Sequence, residues 1–224
     1  MPSDTAAALR GFSPLGILAI VLILAAGNLP VDSLVVVPAG GLLVLLWVRL
    51  SHTPWREIGY VRPKSWIVDV ALGVALGCAL KLLTKAVLMP LLGADAVNHA
   101  YHALAGKTAM LPFAVSAMLA AGFGEETVFR GFLFERLGKL LGSGAGAKVA
   151  IVLATTALFA LLHYPDQGIA GVEQATVTGL TFGTIYALTG RLWLLMYAHA
   201  AYDLVALAII YGNLESSVAH LIFK

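Results

Sequence analysis

Seven apolar runs, near residues 14–28, 33–50, 66–88, 108–138, 146–163, 170–189 and 191–211, are parted only by short charged or Gly/Pro-rich breaks, and this pattern restricts the fold more than any other feature. An α-helix needs about 20 mainly apolar residues to cross the hydrocarbon of a bilayer. Composition agrees: 60% of the 224 residues are hydrophobic and 12% are charged, against about 25% charged in soluble domains. So few charges cannot cover a globule of this size with solvated groups. Disorder would require the opposite balance, low hydrophobicity with high charge. The expected fold is all-α, a polytopic transmembrane bundle of about seven helices with room for an eighth, forming one integral-membrane domain over residues 1–224.

The remaining bulk numbers exclude more than they assign. A formal net charge of +2 without a basic run gives no reason to expect a nucleic-acid partner. The lone cysteine, Cys78, rules out a disulfide framework or a thiolate metal site and reads as a small buried hydrophobe. With the N-terminus inside, Arg10, Arg49, Arg56, Arg62, Lys64, Arg136, Lys139, Lys148 and Arg191 fall on the cytoplasmic side. Lys107 and Lys224 fall outside, and Lys81 and Lys85 are expected to snorkel outward. The segment Ser51 to Ser65, with Trp55 and Tyr60 among cations, suits the headgroup layer. The first segment is expected to stay as a helix, although Arg10, a short apolar core and Ala25-Ala26-Gly27 also resemble a signal peptide. Gly73 with Gly77 and Gly179 with Gly183 read as close helix contacts, and the Gly142–Gly146 stretch reads as a cytoplasmic turn.

Ionisable groups at membrane depth cost roughly 3 kcal/mol or more each at a helix centre, so each one calls for a reason. Asp69 is expected to reach the cytoplasmic headgroups, and His99 and His102 to lie in a solvated outer loop. The fourth run differs, because Glu125, Glu126 and Arg130 sit deep within it. Spacing of i,i+4 lets Glu126 pair with Arg130, while Glu125 points about 100° away, free for another task. Gly122 and Gly124 before them admit a close neighbour. The fifth run ends in Phe159-x-x-x-His163 and the seventh holds His199-x-x-x-Asp203. A buried ion network fixing helix register would explain Glu126 and Arg130, but accounts less well for Glu125, His163 and His199.

Glu125-Glu126-x-x-x-Arg130, Phe159-x-x-x-His163 and His199-x-x-x-Asp203, in that order on three helices, resemble the motifs of the type II CAAX prenyl endopeptidases and bacteriocin-processing or immunity proteins, the CPBP or Abi family. Phe129-Arg130-Gly131-x-Leu133 matches the usual surroundings of the first motif, and the likeness covers about residues 108–205, the motif-bearing core. The resemblance implies an intramembrane endopeptidase in which Glu125 and His163 activate water and His199 and Asp203 stabilise the oxyanion. Glu126 and Arg130 would hold the constellation, with Phe159 supporting it. General physics agrees, since peptide hydrolysis needs a tuned base and donors aimed at the developing oxyanion.

An aspartate at position 203, where the family has Asn or Asp, keeps a second mechanism open. Ionised, Asp203 would orient His199 or bind a cation. Zinc held by Glu125, His163 and His199 is the alternative to a metal-free glutamic-type site, which is favoured because the residues are scattered. Helical rise counted from the basic ends puts His199 about 12 Å, Glu125 about 16 Å and His163 about 22 Å deep. The fifth helix is therefore expected to tilt, to start late or to end inside the bundle near Tyr164-Pro165-Asp166, and the site to open towards the cytoplasm. The implied partners are the bilayer and a membrane-anchored or hydrophobic peptide or protein, prenylated where such substrates exist. Residue usage and short loops suggest a bacterial inner membrane. Two other readings are a non-catalytic immunity or scaffold protein with the same fold, and an ion-coupled transporter, which lacks the expected broken helices in matching halves.

Overall fold

The computed structural model describes residues 4–26 and 33–223, with only the backbone given for 33–37. Gly27 of the signal-like pattern, the end of the first apolar run and Lys224 lie outside these residues. The described chain is all-α: α1 (Asp4–Arg10), α2 (Pro14–Ala26), α3 (Ser33–Leu50), α4 (Trp66–Leu83), α5 (Met89–Leu91), α6 (Leu111–Glu126), α7 (Phe134–Leu141), α8 (Ala145–Leu162), α9 (Tyr164–Thr189), α10 (Leu192–Tyr211) and α11 (Glu215–Ala219). Two π-helical stretches, Thr84–Leu88 and Thr127–Leu133, join α4 to α5 and α6 to α7.

Each of the seven apolar runs contains a helix, but fewer are spans by length and composition. Among the described residues four helices are long and apolar enough to cross a membrane: Trp66–Leu91, Thr108–Leu141, Ala145–Leu162 and Leu192–Tyr211. The pair α1 and α2, bent by 55°, makes a fifth if it counts as one span. α9 falls short of that standard because Asp166, Gln167, Glu173 and Gln174 interrupt its first half. Ile17, Leu22, Leu42, Ile67, Leu153 and Leu188 are exposed, as lipid-facing side chains require.

α10 is the central helix and packs on α4 and α6. Glycine permits both contacts. A Cβ on Gly77 would lie 2.0 Å from the Ala198 carbonyl oxygen, and one on Gly122 would lie 2.6 Å from the Ala200 nitrogen. With little hydrophobic drive between helices in lipid, such close backbone approach supplies the packing. Gly179 meets Thr156 in the same way and brings α9 onto α8. The small-residue patterns are thus packing devices, as expected. Cys78 is half-buried rather than buried, because it edges an apolar groove with Phe123 and Tyr197.

The basic residues gather at one end. Arg10 pairs with Glu57 at 2.8 Å, and Arg136 Nη1 donates to the Arg10 carbonyl at 2.8 Å. Arg191 pairs with Asp69, which is buried in that ion pair rather than turned to headgroups. The segment 51–65 seals this end: Trp55, Tyr60, Trp193 and Trp66 pack edge to face in sequence. Gly59, at φ 80°, accepts the Leu192 N–H at 3.0 Å through its carbonyl. Burial raises the Tyr60 phenol pKa, partly offset by its 2.9 Å hydrogen bond with Thr127. Gly142, at φ 86°, ends α7 in the turn expected there.

The opposite end is closed by residues 92–110. Glu215 of α11 accepts the Asn98 N–H at 2.7 Å and meets His102 Nδ1 at 2.7 Å. His102 is strapped to a buried carboxylate while its own side chain stays 43% exposed, and His99 is exposed beside Asp95, as expected of loop residues.

Candidate active site

The π-helical stretch Thr127–Leu133 follows Glu126 directly, and single π turns recur at functional sites because they re-aim side chains. Arg130 Nη1 donates to Glu126 Oε1 at 2.7 Å, so the pairing expected from i,i+4 spacing is present. Both side chains are almost wholly buried. The same Glu126 oxygen lies 2.8 Å from His199 Nδ1. Because a carboxylate accepts, Nδ1 carries the proton, and the ring is fixed with Nε2 turned the other way. His199 Nε2 faces Glu125 Oε2 at 3.7 Å and Asp203 Oδ2 at 3.6 Å. Glu125 and Asp203 retain 21% and 19% side-chain exposure while Glu126 has 0%, which separates one enclosed carboxylate from two open ones.

Phe159 is the apolar hub of the site. Its ring lies 4.5 Å from the His163 ring, 6.1 Å from the His199 ring and 4.8 Å from the Arg130 guanidinium carbon. α8 ends at Leu162, and α9 resumes with a break at Gly168, whose φ of 61° suits glycine. His163 thus sits at the junction of the two helices. His163 Nδ1 donates to the Phe159 carbonyl at 2.8 Å, leaving Nε2 without the proton in the neutral ring.

Glu125, Phe159, His163, His199 and Asp203 line one cavity of about 160 Å³. Its wall continues through Lys81, Gln174 and Gln167 to Tyr101 and Asn98 in the 92–110 connection. The cavity therefore runs away from the basic end, and the expected opening towards that end is corrected. The reason lies in the two closures: the aromatic ladder plugs the basic end, whereas residues 92–110 bring polar side chains to the other. Tyr101 keeps its proton over the working range, since burial, then the charges of Asp203, Glu125 and Asp166, push its pKa up to about 12.

The catalytic candidates Glu125, His163, His199 and Asp203 share one cavity, but not every expected pairing forms. The histidine within 4 Å of Glu125 is His199, whereas His163 shares only the cavity with it. The zinc set Glu125, His163 and His199 does not assemble. Among the described residues no three His, Cys, Asp or Glu side chains are grouped so as to hold a metal. Lys81 was expected to snorkel outward. It is instead buried and turned inward, with Nζ 2.7 Å from Gln174 Oε1. Lys85 does reach the outer connection, donating to the Ala96 carbonyl at 2.5 Å. The available signal for Lys81 was its position well before the end of its apolar run, with Gln174 interrupting a second run.

Comparison with known proteins gives one result. Residues 107–205 match the family described as type II CAAX prenyl endopeptidase Rce1-like, a segment that holds all three motifs. No curated protein and no solved structure gives a match.

Proposed function

From a chain whose residues 107–205 form a domain of the Rce1-like family of membrane proteases, we propose an intramembrane endopeptidase that hydrolyses a peptide bond of a membrane-associated, prenylated or otherwise hydrophobic protein or peptide. The observation that carries this reading is the open side of the His199 network: Glu125, His163, His199 and Asp203 converge on one cavity at membrane depth. Glu125 is the base. It takes a proton from a water shared with His163 Nε2, and the oxygen attacks the scissile carbonyl carbon. His199, doubly protonated with its Nδ1–H on Glu126, donates its Nε2–H, with Asp203 in its protonated form, to the oxyanion that develops. The proton held by Glu125 passes to the leaving nitrogen as the C–N bond breaks, giving a carboxylic acid and an amine.

Glu126 and Arg130 touch no substrate in this scheme. Arg130 holds Glu126, and Glu126 holds the His199 ring at the angle the cavity requires, the role of an orienting carboxylate behind a catalytic histidine. No step is routed through a metal. The excess of Lys and Arg assigns the basic end to the cytoplasm, which makes the cavity run towards the other face.

Purified protein in lipid vesicles, incubated with a prenylated reporter peptide and read by mass spectrometry, tests the reading. Two cleavage products are expected, and none with Glu125→Ala protein of unchanged melting temperature. Intact peptide in both reactions, or equal cleavage by the variant, would overturn it in favour of a non-catalytic protein.

A further inference from the structure

Lys81 is buried in α4 and lines the cavity, yet it forms no ion pair among the described residues. Its ammonium donates to the Gln174 side-chain oxygen and lies 4.6 Å from the centre of the Tyr202 ring. The buried arginines differ, since Arg130 and Arg136 each have a carboxylate. An ammonium carries three donors, and one is used by Gln174. Asp203 and Glu215 act on it only from beyond ion-pair distance, and a buried cation so loosely compensated is costly, more so at membrane depth.

Its place in the cavity adds a direction. Gly77 packs against Ala198 and Ala201 where α4 meets α10, so Lys81, one turn further on, stands level with Tyr202 and Asp203. The ammonium shares with Gln174, Gln167 and Asn98 the wall that reaches the 92–110 connection. Glu125, the ionised base, repels an anion, while the lysine and its amide neighbours offer donors to one.

We propose that Lys81 is a positioning residue that binds a carboxylate of the peptide, fixing which bond lies over Glu125. This rests on the endopeptidase reading and names the chemistry of its substrate. The carboxylate comes either from a free C-terminus or from an acidic side chain near it.

Binding to Glu125→Gln protein, which leaves the peptide intact, tests the proposal by fluorescence anisotropy. The probe is a labelled peptide with a prenylated cysteine, in three forms: free acid, C-terminal amide, and amide with a glutamate among the last three residues. The free acid is expected to bind about tenfold tighter than the plain amide. Lys81→Gln or the space-filling Lys81→Met, added to the same protein, should abolish the difference, and Lys81→Arg should keep part of it. Tight binding of the acid alone identifies the chain terminus, and tight binding of both acidic forms identifies any nearby carboxylate. Equal binding of all three forms, a preference that survives Lys81→Gln, or no binding of any form overturns the proposal. Cleavage of the free acid by the unsubstituted protein reports separately on the endopeptidase reading.

Discussion

Two buried arginines on the same long segment, Arg130 and Arg136, are built from the same materials and serve opposite ends. Arg136 lies 4.5 Å from the Trp47 ring centre and donates through Nε and Nη2 to Glu135, while Lys139 reaches the same carboxylate at 2.6 Å. Both cations in that cluster share one carboxylate and none of the three lines the cavity, so the cluster is closed. Arg130 lies over the Phe159 ring and holds Glu126, but Glu126 spends the same oxygen on His199, whose far nitrogen faces the cavity. A closed cluster fixes helices. An open one leaves a polar group aimed at whatever enters, and burial in the membrane strengthens what that group can do.

The sharpest way to break this comparison is at the carboxylate that links arginine to histidine. Glu126→Gln keeps the shape but removes the charge that orients His199. Cleavage of a prenylated reporter in vesicles should fall about 10³- to 10⁴-fold, as where an orienting carboxylate behind a catalytic histidine is lost. Retention of most activity would mean that His199 does not depend on Glu126.

Next come the arginines themselves. Each change to Met leaves a buried carboxylate without its main cation, a cost of about 3–5 kcal/mol. Thermal melting should fall for both. The two part in activity per folded molecule, which Arg130→Met should lower about a hundredfold and Arg136→Met should leave unchanged. Equal losses would erase the distinction between the clusters.

A smaller effect is expected at Asp203. The Asn amide can donate to an oxyanion as a protonated Asp does, so Asp203→Asn should stay within about tenfold of the parent in kcat. A loss as large as that at Glu126 would assign Asp203 an ionised role beside His199. The smallest effect is on metal removal. Dialysis against a strong chelator should leave cleavage unchanged, because Glu125, His163 and His199 form no shared metal cluster. Loss of activity restored by zinc would contradict this.

What could be read from the chain follows the reach of local geometry. The Glu126–Arg130 pair was legible because i,i+4 spacing fixes it within one helix, and the end of α8 was legible because Pro165 follows closely. The bond from Glu126 to His199 was not, since it depends on how α10 crosses α6 at Gly122, a tertiary contact. Lys81 was misread for a related reason. α4 is apolar on nearly every side, so its sequence marks no inner face, and snorkelling was the default for a cation near a helix end. The direction of the cavity depends on what closes each end, and the aromatic ladder and residues 92–110 do that only after folding.

The comparison is tested most directly by setting Glu125→Gln beside Glu135→Gln and measuring, for each, the rate of reporter cleavage in vesicles and the melting temperature. Glu125→Gln should lose cleavage by at least about 10³-fold with unchanged melting. Glu135→Gln should melt lower and cleave at the parental rate per folded molecule. Cleavage by Glu125→Gln at near the parental rate, or a lost rate explained by its own unfolding, would contradict the account.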